Sequence, residues 1–75
     1  MKYSARQRAV AAALRKAREA AGLSQRQLSE RLQQPPNWIQ RIESLERRVD
    51  VAEFIAIARA LGAKPAELFQ DALDG

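Results

Sequence analysis

Helix-ending residues cut this 75-residue chain into short pieces. They are Gly22, the run Gln33-Gln34-Pro35-Pro36, the stretch Leu45 to Asp50, and Gly62 followed by Pro65. Between them, apolar residues recur at three-to-four spacing, so the chain reads as five short helices. Ser4 caps a first helix that runs to about Ala21, with Val10, Leu14, Ala17 and Ala21 inward. Gly22 ends it in the left-handed conformation that glycine tolerates. Ser24 opens a second helix with a capping box to Gln27 and with Leu28 and Leu32 on one face. Proline is accepted in a first helical turn, so a third helix is expected from near Pro36 through Ser44. Ile39 and Ile42 face inward there, and Trp38 packs beside them. Asp50 and Glu53 cap a fourth helix expected to bury Val51, Phe54, Ile55, Ala58 and Leu61. Pro65 opens the last helix, which carries Leu68, Phe69 and Leu73.

A chain of this length makes one domain with one small core. The expected organisation is a single all-α domain over residues 1–75, with an N-terminal extension of about residues 1–8. The chain has neither cysteine nor histidine, which removes disulfides and the usual zinc ligands. There is no phosphate-cradling glycine loop and no paired acid suited to a cleft, so no enzyme, metal or cofactor is expected. The start has no long apolar run, and no window approaches the roughly 20 apolar residues of a membrane span. A cytoplasmic protein with no membrane partner is expected. Charge is distributed unevenly. Residues 1–48 hold eleven Lys/Arg against four Asp/Glu, a net +7, and residues 49–75 hold two against five, a net −3. A basic front on an acidic back suits a polyanion, although a solubilising arginine-rich surface gives the same count.

Residues 25–44 contain two short helices joined by a tight turn, with apolar residues at 28, 32, 39 and 42. A helix-turn-helix needs this spacing, because two crossed helices share a small core while the second keeps one face free. A generic helical hairpin would place the same four residues. More of the chain narrows the choice. Leu14-Arg15 and Arg18 precede Gly22-Leu23-Ser24-Gln25, then come Leu28, Leu32, Ile39, Ile42-Glu43 and Ala58-x-x-Leu61-Gly62. Over residues 14–69 the sequence resembles the lambda-repressor-like, Xre/Cro-type (Cro/C1-type) helix-turn-helix family. The resemblance implies a compact five-helix domain that binds double-stranded DNA through the major groove. It also implies a bacterial or phage-encoded transcriptional regulator, read here as a repressor acting as a homodimer on a palindromic operator.

The same resemblance assigns roles. The base-reading positions of the third helix fall on Pro36, Asn37, Gln40, Arg41 and Ser44. Arginine is suited to two acceptors on guanine, asparagine or glutamine to an adenine edge, and Pro36 to apolar or shape contact alone. Gln25 at the start of the second helix is expected on a backbone phosphate, with Arg26 a weaker candidate and Arg47 and Arg48 on flanking phosphates. Arg18 and Glu43 are implied to form an ion pair locking the first helix to the third. Leu68, Phe69 and Leu73 either contact a second copy or close the monomer core.

The chain departs from the family pattern in several places. Gln33 and Leu45 stand where glycine is usual, Gln34 where an apolar residue is usual, and Ser29 where alanine is usual; the double proline is also uncommon. Either the turns at Gln33 and Leu45 are reshaped or the domain tolerates a left-handed non-glycine residue at a cost on the order of 1 kcal/mol. An exposed Leu45 would mark a contact. These departures keep a second function open: an antitoxin-like or other protein-interaction module that has lost specific DNA binding.

Overall fold

The computed structural model describes residues 4–75, which form five helices. They are α1 (Ala5–Ala20), α2 (Gln25–Arg31), α3 (Trp38–Glu43), α4 (Val51–Ala60) and α5 (Pro65–Asp74). Met1, Lys2 and Tyr3 lie outside the described residues. Of the N-terminal extension expected over residues 1–8, residues 5–8 are the first turns of α1.

The helix starts follow local chemistry. Ser4, Ser24 and Asp50 each accept a hydrogen bond from the backbone N–H three residues on. The side chains of Gln7, Gln27 and Glu53 return the bond to the cap residue's own N–H. These reciprocal bonds satisfy amides that the helix itself leaves without partners. α3 begins at Trp38, two residues later than expected, because the Trp38 N–H closes a turn onto the Pro35 carbonyl.

The first four helices share one ending. The N–H two residues past each C-cap returns to a carbonyl five residues back, in the pairs Leu23–Arg18, Gln34–Ser29, Glu46–Arg41 and Ala63–Ala58. This closure requires a left-handed residue between cap and donor. Gly22 and Gly62 supply it without steric cost, at φ 74° and 71°. Gln33 and Leu45 supply it as non-glycine residues, at φ 57° and 65°. The turns are therefore kept and the strain is tolerated.

The core joins Leu14, Leu28, Trp38, Ile39, Ile42, Phe54, Ile57, Ala58 and Leu68. α1 lies along α5 in the most extensive helix contact and also touches α3. Its buried face is Ala11, Leu14 and Arg18, flanked by half-buried Val10 and Ala17; Ala21 is exposed. α4 is rotated from the expected setting. Ile57 is wholly buried, while Val51 is 77% exposed and Ile55 38% exposed. Nine apolar residues between 51 and 61 spread round more of the helix surface than its neighbours cover. Two tertiary contacts select the buried arc: Glu53 is drawn toward the α3–α4 connection by Arg47, and Phe54 meets Phe69 edge-on at 6.1 Å between ring centres. Val51 and Ile55 lie further round the helix, past Phe54.

Candidate nucleic-acid interface

The helix-turn-helix expected over residues 25–44 is α2, its turn and α3. α3 buries Trp38, Ile39 and Ile42, so its period sends residues 37, 40, 41 and 44 to the opposite side. Asn37, Arg41 and Ser44 are exposed there and Gln40 is half-buried; Pro36 is exposed just before the helix.

The helix is held in place by residues other than those on its outer face. Asn37 occupies the N-cap position but its side chain caps nothing. Instead the Ile39 N–H donates to the hydroxyl of fully buried Ser29 on α2, at 3.0 Å. Ser29 in turn donates to the Gln25 carbonyl at 2.9 Å. Where alanine is usual, this serine bolts the two helices together and leaves the Asn37 amide available. At the other end, Arg18 grips Glu43 through two bonds, Nε to Oε2 at 2.6 Å and Nη2 to Oε1 at 3.1 Å. Its third donor satisfies the Leu23 carbonyl at 2.7 Å. Hydrogen bonding to Glu43 raises the guanidinium above its ordinary pKa, against the opposing effect of burial. The implied α1–α3 ion pair is present, buried and bidentate.

The residues expected on phosphates are placed differently from one another. Gln25 is half-buried and donates its amide to Glu43 Oε1 at 2.8 Å, so it belongs first to the Arg18–Glu43 network. A buried carboxylate has lone pairs beyond those a bidentate arginine takes, and Gln25 occupies one. Arg26 is exposed and pairs loosely with Glu30 one turn on, at 3.3 Å. Arg47 is committed to the scaffold. It donates to both oxygens of Glu53, at 3.0 and 2.7 Å, and to the Arg48 carbonyl, and its guanidinium lies over the Trp38 ring, 5.1 Å from the centroid. The hydrogen bond from Arg47 holds the Glu53 carboxyl below the ordinary carboxylate pKa. Arg48 is exposed in the same connection.

The Arg41 guanidinium donates to no group among the described residues, while the Arg41 backbone N–H bonds the Asn37 carbonyl at 3.0 Å. Gln40 and Ser44 do have partners. Both donate to Oε2 of Glu46, at 3.3 and 2.8 Å. Reading the sequence alone passed over Glu46, because only the left-handed turn at Leu45 folds it back beside α3. Leu45 itself is half-buried, not an exposed apolar contact. With Val10, Ala11, Ile42 and Val49 it lines a cleft of about 170 Å³ between α1 and the α3–α4 connection. On α5, Leu68 is part of the core, whereas Phe69 and Leu73 are 52% and 43% exposed. No group of three or more His, Cys, Asp or Glu among the described residues is placed to hold a metal, and no described helix is long and apolar enough to cross a membrane.

Comparison with known proteins agrees with this architecture. A family model described as a helix-turn-helix domain matches residues 9–69. The chain is similar to the solved structure of an Xre-family-like protein from Pseudomonas syringae pv. tomato, with 37% identity and a TM-score of 0.85. That match covers 93% of this chain and 85% of the other. It is also similar to the clp gene regulator ClgR from C. glutamicum, at 27% identity and a TM-score of 0.83, over 97% and 94% of the two chains. No curated protein matches the chain. The chain thus belongs to the Xre/Cro-type family of helix-turn-helix domains, DNA-binding regulators with the lambda-repressor-like fold.

Proposed function

We propose that this protein is a sequence-specific, double-stranded DNA-binding transcriptional regulator that acts as a repressor in the cytoplasm of a bacterium. One observation carries the reading. Asn37 and Arg41 stand on the exposed side of α3 with no side-chain hydrogen bond among the described residues, while Ser29, Trp38, Ile39, Ile42 and Glu43 do the anchoring. A helix anchored this way enters the major groove without rearranging its supports. Arg41 is matched to guanine O6 and N7, and Asn37 to adenine N6 and N7. Pro36 contributes shape, and Gln40 and Ser44 complete the face. Arg26 and Arg48 serve as phosphate contacts, joined by the second amide hydrogen of Gln25. Arg47, bound to Glu53 and Trp38, shapes the connection instead.

Assembly as a homodimer is supported by apolar surface. Phe69 and Leu73 lie one turn apart on α5, and the contact of Phe69 with Phe54 brings them toward the side of α4 that exposes Val51 and Ile55. A two-fold axis through this face pairs identical patches and calls for a palindromic operator. The same face also suits a different protein, the basis of the interaction-module reading.

The test selects bound duplexes from a randomised pool. It then compares affinity for the enriched and scrambled sequences at two salt concentrations. A palindromic motif preferred by about 10³-fold or more, with affinity falling as salt rises, supports the proposal. Arg41→Ala is expected to relax one position, and Arg48→Ala to weaken all sequences alike. Weak binding indifferent to sequence refutes it and favours the interaction module.

A further inference from the structure

Glu46 is a carboxylate on a surface otherwise suited to a polyanion. Its position is well determined. The left-handed Leu45 reverses the chain, and the Glu46 N–H returns to the Arg41 carbonyl at 2.8 Å. The side chain then lies over the C-terminal half of the α3 outer face. Ser44 Oγ donates to it at 2.8 Å and Gln40 Nε2 at 3.3 Å. Those bonds, the Ser44 one foremost, hold its pKa below the ordinary carboxylate value, so it is ionised at neutral pH. Both donors go to the same oxygen, Oε2, and Oε1 accepts from no group among the described residues. Two neutral side chains on the reading face are thus spent on orienting one acceptor.

We propose that Glu46 is a specificity-determining residue that accepts, on Oε1, a hydrogen bond from the N4 amino group of a cytosine in the major groove, with Gln40 and Ser44 as its positioning residues. The inference rests on the DNA-binding reading above. An ionised carboxylate only accepts hydrogen bonds, and cytosine presents a donor in the major groove without an adjacent acceptor. Guanine presents N7 and O6, and thymine O4, all acceptors that repel a carboxylate; adenine sets N7 beside its amino group. The charge also opposes phosphates at every sequence. Glu46 therefore weakens binding everywhere except where a cytosine donor compensates, and discrimination is gained at the expense of non-specific affinity.

The test repeats the duplex selection with wild type and Glu46→Gln, using Arg41→Ala as a reference. Glu46 is exposed, and unchanged thermal unfolding of Glu46→Gln shows that the fold is intact. The wild-type motif is expected to contain one C·G position per half-site preferred by about ten-fold or more. Glu46→Gln is expected to lose that preference, to keep the position that depends on Arg41, and to bind scrambled duplex more tightly. A wild-type motif with no cytosine dependence overturns the proposal. So does a Glu46→Gln motif that is unchanged or weakened equally at all positions. If wild type enriches no motif at all, the DNA-binding reading fails first and this inference falls with it.

Discussion

Ser29→Ala removes one oxygen from the centre of the helix-turn-helix, where two effects oppose each other. Alanine is the better helix former by a few tenths of a kcal/mol and is the usual residue here in the family, so local propensity favours the variant. Against this, the Ile39 N–H loses its acceptor in a site where Ser29 is completely buried and Ile39 nearly so. An unsatisfied buried amide costs about 1–3 kcal/mol. The second bond of the hydroxyl, to the Gln25 carbonyl, matters less, because a helical carbonyl also has the donor of its own ladder. The penalty wins, and a net loss of about 1–2 kcal/mol is expected. For a domain of this size that lowers Tm by roughly 5–15 °C. Urea unfolding followed by Trp38 fluorescence, with thermal melts by circular dichroism, measures both quantities. Hydrogen exchange should show the Ile39 amide losing protection beyond the global change. An unchanged or raised Tm would refute the reasoning, since Ser29 would then be no more than a substituted alanine.

Four further outcomes are expected. Arg18→Met keeps most of the apolar stem but leaves Glu43 buried with Gln25 alone, so denaturant unfolding should show a loss of about 3–5 kcal/mol. Gln33→Gly relieves a left-handed residue at an exposed turn and should stabilise by about 1 kcal/mol. Leu45→Gly relieves the same strain but loses a half-buried side chain, so chemical denaturation should show a smaller gain or a loss. Glu53 has a folded pKa below its ordinary 4.5, so its contribution is fully present above that pH and is lost as pH falls through the lower folded value. Glu53→Gln, which can keep the capping bond to Asp50, should be less stable at neutral pH and should lose less on acidification below about pH 4.5.

Local signals carried the helix count and most of the boundaries. Capping at Ser24–Gln27 and Asp50–Glu53, glycine at 22 and 62, and proline at 65 act within a few residues, so they are legible without tertiary information. The Arg18–Glu43 pair and the outer face of α3 were legible through family resemblance and helical period. What the tertiary structure alone decided depends on residues that meet across the chain. α4 offers too many apolar positions for periodicity to choose among, and contacts of Glu53 with Arg47 and of Phe54 with Phe69 set its rotation. Arg47 is a plausible phosphate contact until Glu53, six residues away, and Trp38 take up its guanidinium. Ser29 is a mild substitution until the turn brings the Ile39 amide onto its hydroxyl. Glu46 is one charge in a basic connection until a strained leucine turns it back onto the reading face. Hydrogen-bond and charge partners are set by distance in space, and a non-helical turn makes that distance independent of sequence spacing.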